Sequence, residues 1–315
     1  MTSTRARGTF EESSEEPELS RLRYAKNDAD FESEGTRCAG WLYTPEGETK
    51  PPVILMAPGF GAERTFGLPE IAKRFVARGF AVFLFDYRNF GDSDGEPRTL
   101  VHSSRHVEDW EAAIDHVRGL DAIDRRKIAL WGTSYSGGHV IEAAADDHRI
   151  SAVVAQTPFL DGRAVTRSAG IKKSLSGTIS GVRDLVRKYT FRSPRTVPIV
   201  GDPDEFAVIN APGAKAGYMD IVPDPPVWEN EVPARVFLDI PRYRPISVIE
   251  DVPCPLFLLA GRDDEVVSAS SVQEAAEKAD ATYVELPIGH FDVYDSASEE
   301  VLGYEMAFLD QHLRD

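Results

Sequence analysis

Nearly continuous apolar runs recur along the chain: Pro52 to Ala57, Phe80 to Phe85, Lys127 to Trp131, Ile150 to Gln156 and Pro255 to Ala260. Each is short, bounded by charged or turn-forming residues, and too uniformly apolar to leave one face in water. Such runs read as strands buried on both faces. Between them the pattern changes to helical spacing. Leu68 to Arg78 carries Ile71, Phe75 and Val76 on one side, and further helices are predicted over Ser104 to Arg118, Tyr135 to Ala145, Ser270 to Ala279 and Glu299 to Leu313. A last strand is predicted over Ala281 to Leu286. Strands alternating with helices predict an α/β fold, a mostly parallel sheet flanked by helices on both faces.

Two stretches break the rhythm. Residues 1–20 are rich in Ser, Thr and Glu and read as a disordered tail. Residues 21–45 alternate in short runs ending with Ala39 to Tyr43, which predicts an antiparallel edge leading into the sheet. Residues 163–250 hold a helical pattern near Gly177 to Tyr189 and then proline- and glycine-rich text without clear strands. The expected organisation is a tail (1–20), a core (21–162), an inserted cap or lid (163–250) and the rest of the core (251–315).

Charge narrows the partners. Lys and Arg total 35 against 52 Asp and Glu, a net of −17, which argues against general nucleic-acid binding. An acidic surface of this kind suits either a salt-tolerant source or an ordinary acidic protein. No apolar run reaches the ~18 residues of a membrane span, and the polar N-terminus lacks the apolar core of a secretion signal, so a cytoplasmic location is expected. Cys38 and Cys254 are far apart in sequence; free buried thiols are expected ahead of a single disulfide. Against the acidic whole, residues 163–195 hold nine basic side chains and one acid, Asp184. Either that segment is a solvated face, or it overhangs a site and attracts an anionic substrate.

The chemistry gathers at Gly132-Thr133-Ser134-Tyr135-Ser136, between a predicted strand and a predicted helix. A serine at such a turn, with small neighbours two residues either side, has the form of a nucleophile elbow. Ser136 stands where glycine is usual. A nucleophilic serine needs a base, and a carboxylate to orient that base. Of the seven histidines, only His290 lies directly after the last predicted strand. The loop after Pro255 to Ala260 offers Asp263 and Asp264 as the acid. Two backbone amides should stabilise an oxyanion: that of Tyr135, after the serine, and that of Phe60, in Pro58-Gly59-Phe60-Gly61. Pro58 has no N–H to offer. The stretches that look like metal or dinucleotide motifs fail as such. His102 and His106 lack an E-x-x-H arrangement. Asp92 to Glu96 fails as a calcium loop, because its register places Phe90 and Val101 at ligand positions. Gly59-x-Gly61 has no third glycine at Arg64.

Together, Ala57 to Gly61, Asp86-Tyr87-Arg88-x-x-Gly91-x-Ser93, the elbow, Gly261 to Val267 and Gly289-His290-Phe291 resemble the α/β-hydrolase superfamily. Within it the chain resembles the dienelactone-hydrolase and X-Pro-peptidase-like esterase subgroup. Its pattern G-x-x-D-x-x-V selects Asp264 over Asp263. The resemblance implies a Ser134, Asp264, His290 triad that cleaves carboxylic esters through an acyl-enzyme. A thioesterase or polyketide-type acyl hydrolase is the alternative that the basic segment favours, and a non-catalytic binding protein of the same fold is another. The resemblance implies no metal or organic cofactor, and the expected partner is a small-molecule ester or thioester, an anionic one included. The oligomeric state stays open, a homodimer included.

Overall fold

A computed structural model describes residues 23–224, 228–295 and 297–314; the expected tail, 1–20, lies outside the described residues. Among the described residues the main sheet has eight strands. In chain order they are β1 (Tyr24–Asp28), β2 (Gly40–Pro45), β3 (Val53–Ala57), β4 (Ala81–Phe85), β5 (Ile128–Thr133), β6 (Ala152–Gln156), β7 (Leu256–Gly261) and β8 (Thr282–Leu286). Their spatial order is β1-β2-β4-β3-β5-β6-β7-β8. β1 and β2 pair antiparallel, as do β2 and β4; all other pairs are parallel. The predicted antiparallel edge is therefore present, with a small hairpin (Phe31–Ser33 and Thr36–Cys38) folded beside it.

Every residue of β3 to β7 is buried, which is why those strands read as unbroken apolar text. Helices α1 (Leu68–Ala77), α2 (Ser103–Gly119) and α3 (Tyr135–Ala145) follow β3, β4 and β5. They divide the core into two apolar layers, one on each face of the sheet. Ile114, Val117, Val140 and Ile141 lie in one, and Ile71, Phe75, Leu302 and Phe308 in the other.

Between β6 and β7 the described residues add no strand to the main sheet. They form α4 (Gly162–Ser168), α5 (Gly170–Tyr189), α6 (Ala214–Asp220) and α7 (Val236–Asp239), with short 3-10 turns and a two-residue ladder between Thr196–Val197 and Val232–Pro233. α5 begins seven residues before the predicted start, because Gly170-Ile171-Lys172-Lys173 carries no helix-breaking residue beyond its first glycine. The chain closes with α8 (Ala269–Ala279) and α9 (Ser298–Leu313). Cys38 and Cys254 are both free; Cys38 is buried as expected, whereas Cys254 is only half-buried. Among the described residues no helix is long and apolar enough to cross a membrane.

Candidate active site

The elbow is a steric arrangement. Ser134 sits between β5 and α3 with φ 55° and ψ −119°, a sparsely populated conformation for a residue with a side chain. Two hydrogen bonds hold it: its amide donates to the Gln156 carbonyl (2.9 Å), and its carbonyl accepts from the Phe159 amide (2.8 Å). A side chain at position 132 would put its Cβ 2.4 Å from the Ser136 carbonyl oxygen, so the turn requires Gly132. Ser136 is accommodated because it is fully buried, with the Tyr87 hydroxyl donating to its Oγ (2.9 Å). Its departure from glycine leaves the turn intact.

His290 Nε2 lies 3.0 Å from Ser134 Oγ, and its Nδ1 lies 2.6 Å from Asp264 Oδ2. The other oxygen of Asp264 accepts from the amides of Val266 (2.7 Å) and Val267 (2.8 Å). These bonds orient the carboxylate before the histidine reaches it. Asp263 is exposed, while Asp264 turns inward beside Gly261, whose own close approach to the Ile288 carbonyl leaves no room for a side chain. Gly289 donates to Asp292 Oδ2 (2.7 Å), which fixes the loop carrying His290. The geometry thus brings together all three side chains singled out in the sequence. Among the described residues no group of His, Cys, Asp and Glu is arranged to hold a metal ion.

The loop after β3 passes close over the serine: a Cβ on Gly59 would lie 3.3 Å from that of Ser134. The rings of Phe60 and Tyr135 meet edge to face, 5.2 Å between centroids. The residues holding this loop were not foreseen. The Tyr218 hydroxyl donates to the Phe60 carbonyl (2.9 Å), and Trp228 Nε1 donates to the Gly61 carbonyl (3.0 Å). Both side chains are buried and stack on one another. Gly217 packs on the ring of Phe291, next to His290. The segment between β6 and β7 therefore touches both the Phe60 loop and the histidine loop. Aromatic residues isolated in proline-rich text give no periodic signal that could have marked them.

Behind the elbow lies a buried polar chain. His106 Nδ1 is 3.3 Å from His139 Nε2, and His139 Nδ1 is 2.7 Å from the Tyr243 hydroxyl. Burial holds the His139 imidazole down at about 3. His106 is also well below its ordinary value, through burial and then the neighbouring His139. Both rings are neutral near pH 7 and act as packing and hydrogen-bonding groups.

The Asp86-to-Ser93 motif is scaffold. Buried Asp86 accepts from the Arg64 amide (2.7 Å) and pairs with its guanidinium (3.1 Å). Arg88 pairs with buried Asp109, and Ser93 accepts from the Ala39 amide (2.8 Å). A cavity of about 780 Å³ opens beside this loop, lined by Glu63, Glu96, Arg98 and Trp228 among others, yet neither Ser134 nor His290 lines it. Nor do the nine basic side chains of 163–195 hydrogen-bond to Ser134, Asp264 or His290 among the described residues. Arg195 instead donates to Asp184 through its amide and to Ser180 through Nε, and Lys173 bonds to Asn210.

The sheet order, the strained serine after β5 and the histidine after β8 define an α/β-hydrolase. Residues 34–282 match the X-Pro dipeptidyl-peptidase (S15) family, and the chain belongs to that family. It is 36% identical over 293 residues to the quorum-quenching protein AidA of Acinetobacter baumannii strain MDR-ZJ06, covering 92% of this chain and 96% of that one. It is 29% identical to the thiohydrolase aneE of Aspergillus aculeatus, over 73% of this chain and 74% of that one. Among solved structures it is similar to the α/β hydrolase GrgF of Penicillium sp. sh18, with a TM-score of 0.81 at 23% identity, covering 92% of this chain and all of that one.

Proposed function

We propose that this chain hydrolyses carboxylic esters through an acyl-enzyme on Ser134. The observation that carries the reading is the hydrogen-bonded line from Ser134 Oγ through His290 to Asp264 at a strained elbow. Ser134 Oγ attacks the acyl carbonyl while His290 Nε2 takes its proton. Asp264 holds the opposite ring nitrogen protonated and stabilises the imidazolium that forms. The oxyanion is stabilised by the amides of Phe60 and Tyr135. His290 returns its proton to the leaving alkoxide, then activates the water that releases the acyl group. Residues 163–250 act as a cap: through Tyr218 and Trp228 they hold the Phe60 loop, and they line the acyl pocket.

A second reading, hydrolysis of acyl thioesters, is favoured by the thiohydrolase among the relatives. The same residues would perform it, with a thiolate leaving. The basic residues of the cap would then draw in an anionic acyl carrier by long-range attraction, since none of them bonds to the reacting groups.

The test is turnover of p-nitrophenyl esters and of matched acyl thioesters by the wild type and by Ser134→Ala. The substitution is expected to lower kcat by about 10⁴-fold or more and to abolish labelling by a fluorophosphonate. A higher kcat/KM on the thioesters would select the second reading. A folded wild type that neither turns over nor labels would be a binding protein, and the proposal would be wrong.

A further inference from the structure

Helix α5 is seated the wrong way round for a surface helix. Its buried positions are Gly177, Ser180, Gly181 and Asp184, all small or polar. Gly177 and Gly181 let Phe237 and Leu238 approach its backbone, and Asp184 pairs with Arg235 at 2.6 Å. Its large apolar residues face outward: Ile171 (89% exposed), Leu175, Ile179, Val182, Val186 and Tyr189 (72%). At 100° per residue these six fall within an arc of about 80°. Val165 and Phe191 (99% exposed) add exposed apolar surface just before and after the helix.

Six large apolar residues exposed along one stripe are unusual for a monomer, whose largest apolar patch is about 300–600 Å². A two-fold contact counts such a stripe twice, once from each partner, towards the ~800 Å² a side of a standard interface. The spacing also reads nearly the same in both directions. Reversed about a centre between Ser180 and Gly181, Ile179 falls opposite Val182 and Leu175 opposite Val186, while Ile171 falls opposite Thr190, one position past Tyr189. That is the self-complementarity of a two-fold interface, in which one patch meets itself, with the three- and four-residue steps of a helix-pairing seam.

We propose that α5 pairs antiparallel with α5 of a second copy of this chain, so that the protein is a dimer joined through the segments between β6 and β7. The basic residues Lys172 and Arg183 border the stripe on one edge and stay in solvent. Association rests on apolar burial and is not weakened by salt.

Analytical ultracentrifugation of the full chain at micromolar concentration tests this. The wild type is expected to sediment as a dimer at both low and high salt. Val182→Glu is expected to sediment as a monomer with an unchanged near-UV circular dichroism spectrum. For the register, the double variant Leu175→Cys with Val186→Cys should crosslink two chains on mild oxidation, while each single variant and the wild type should not. A monomeric wild type would overturn the proposal, whether the stripe then bound anionic vesicles or the acidic residues 1–22. So would a Val182→Glu dimer, or crosslinking by the single variants alone.

Discussion

Helices α3 and α5 use the same device and end in opposite situations. Each brings glycines against a neighbour so that backbone meets side chain closely: Gly137 and Gly138 of α3 against Pro158, Phe159 and Pro245, and Gly177 and Gly181 of α5 against Phe237 and Leu238. In α3 the apolar residues Val140, Ile141, Ala143 and Ala144 are all buried between the sheet and α2. In α5 the packed face is the polar one, and the apolar face is left outside. The period of a helix says where its apolar face is. It does not say what covers that face. For α3 the sheet supplies the cover; for α5 nothing in the described chain does.

The contrast is sharpest in how tightly each glycine is held. A Cβ on Gly138 would lie 2.5 Å from the Phe159 carbonyl oxygen and 2.8 Å from both Pro245 and the Tyr243 hydroxyl. None of these is the free end of a flexible chain. Gly138→Ala is expected to cost about 3 kcal/mol, read as a fall in the urea midpoint. Because Phe159 also holds Ser134, the proposed ester hydrolysis should fall with it. A variant within 0.5 kcal/mol of wild type, roughly the effect of a neutral surface change, would show that α3 is seated no more tightly than α5.

The same burial gives α3 a pH dependence. His139 has a folded value of about 3 against an ordinary 6.5. Below pH 6.5 the unfolded chain takes up a proton that the folded chain refuses. The contribution to stability is complete above 6.5 and is lost as the pH falls towards 3, at about 1.4 kcal/mol per pH unit. By pH 5 the loss is about 2 kcal/mol. His139→Gln, which keeps a polar group beside Tyr243, should flatten the stability profile between pH 6.5 and 4. An unchanged slope would place the acid sensitivity elsewhere, His106 being the nearest candidate.

What could be read ahead of the structure follows the same division. The runs in β3 to β7 were legible because each strand is buried on both faces, and that constraint leaves little freedom in residue type. Ser134 and His290 were legible because each lies in a fixed place after a strand whose pattern was clear; the same placement left Asp263 and Asp264 both open, and only the pattern of the resembled family selected Asp264. Ser136 was visible as a departure, but its partner Tyr87, 49 positions away, was not. Residues 163–250 gave only part of one helix. Their contacts are individual long-range bonds, such as Asp184 to Arg235 and Tyr218 to Phe60, and single bonds leave no period in a sequence. The basic run in α5 was visible too, but not that the apolar residues interleaved with it face outward.

One of those bonds tests whether the segment between β6 and β7 has a part in the chemistry. Tyr218 and the Phe60 carbonyl are both buried, so removing the hydroxyl leaves a carbonyl without a donor and loosens the peptide that follows the one whose Phe60 N–H would stabilise an oxyanion. Tyr218→Phe is expected to lower kcat on p-nitrophenyl esters about 10-fold, equivalent to about 1.4 kcal/mol, with KM little changed. A rise in KM at constant kcat would assign Tyr218 to substrate binding instead.

The smallest effect is expected where α5 meets α7. A Cβ on Gly181 would lie 2.8 Å from Leu238 Cγ and 3.1 Å from the Ala234 carbonyl oxygen. Leu238 is only half-buried, so its side chain is expected to shift by a few tenths of an ångström. Against that small displacement stands the helix preference for alanine over glycine, about 1 kcal/mol in a helix interior. Gly181→Ala should therefore leave stability unchanged or raise it by up to about 1 kcal/mol, whereas the same substitution in α3 lowers it. A loss above about 2 kcal/mol, large for a change outside a packed core, would mean that α7 holds α5 as rigidly as the sheet holds α3. The two helices would then differ only in what lies beyond their apolar faces.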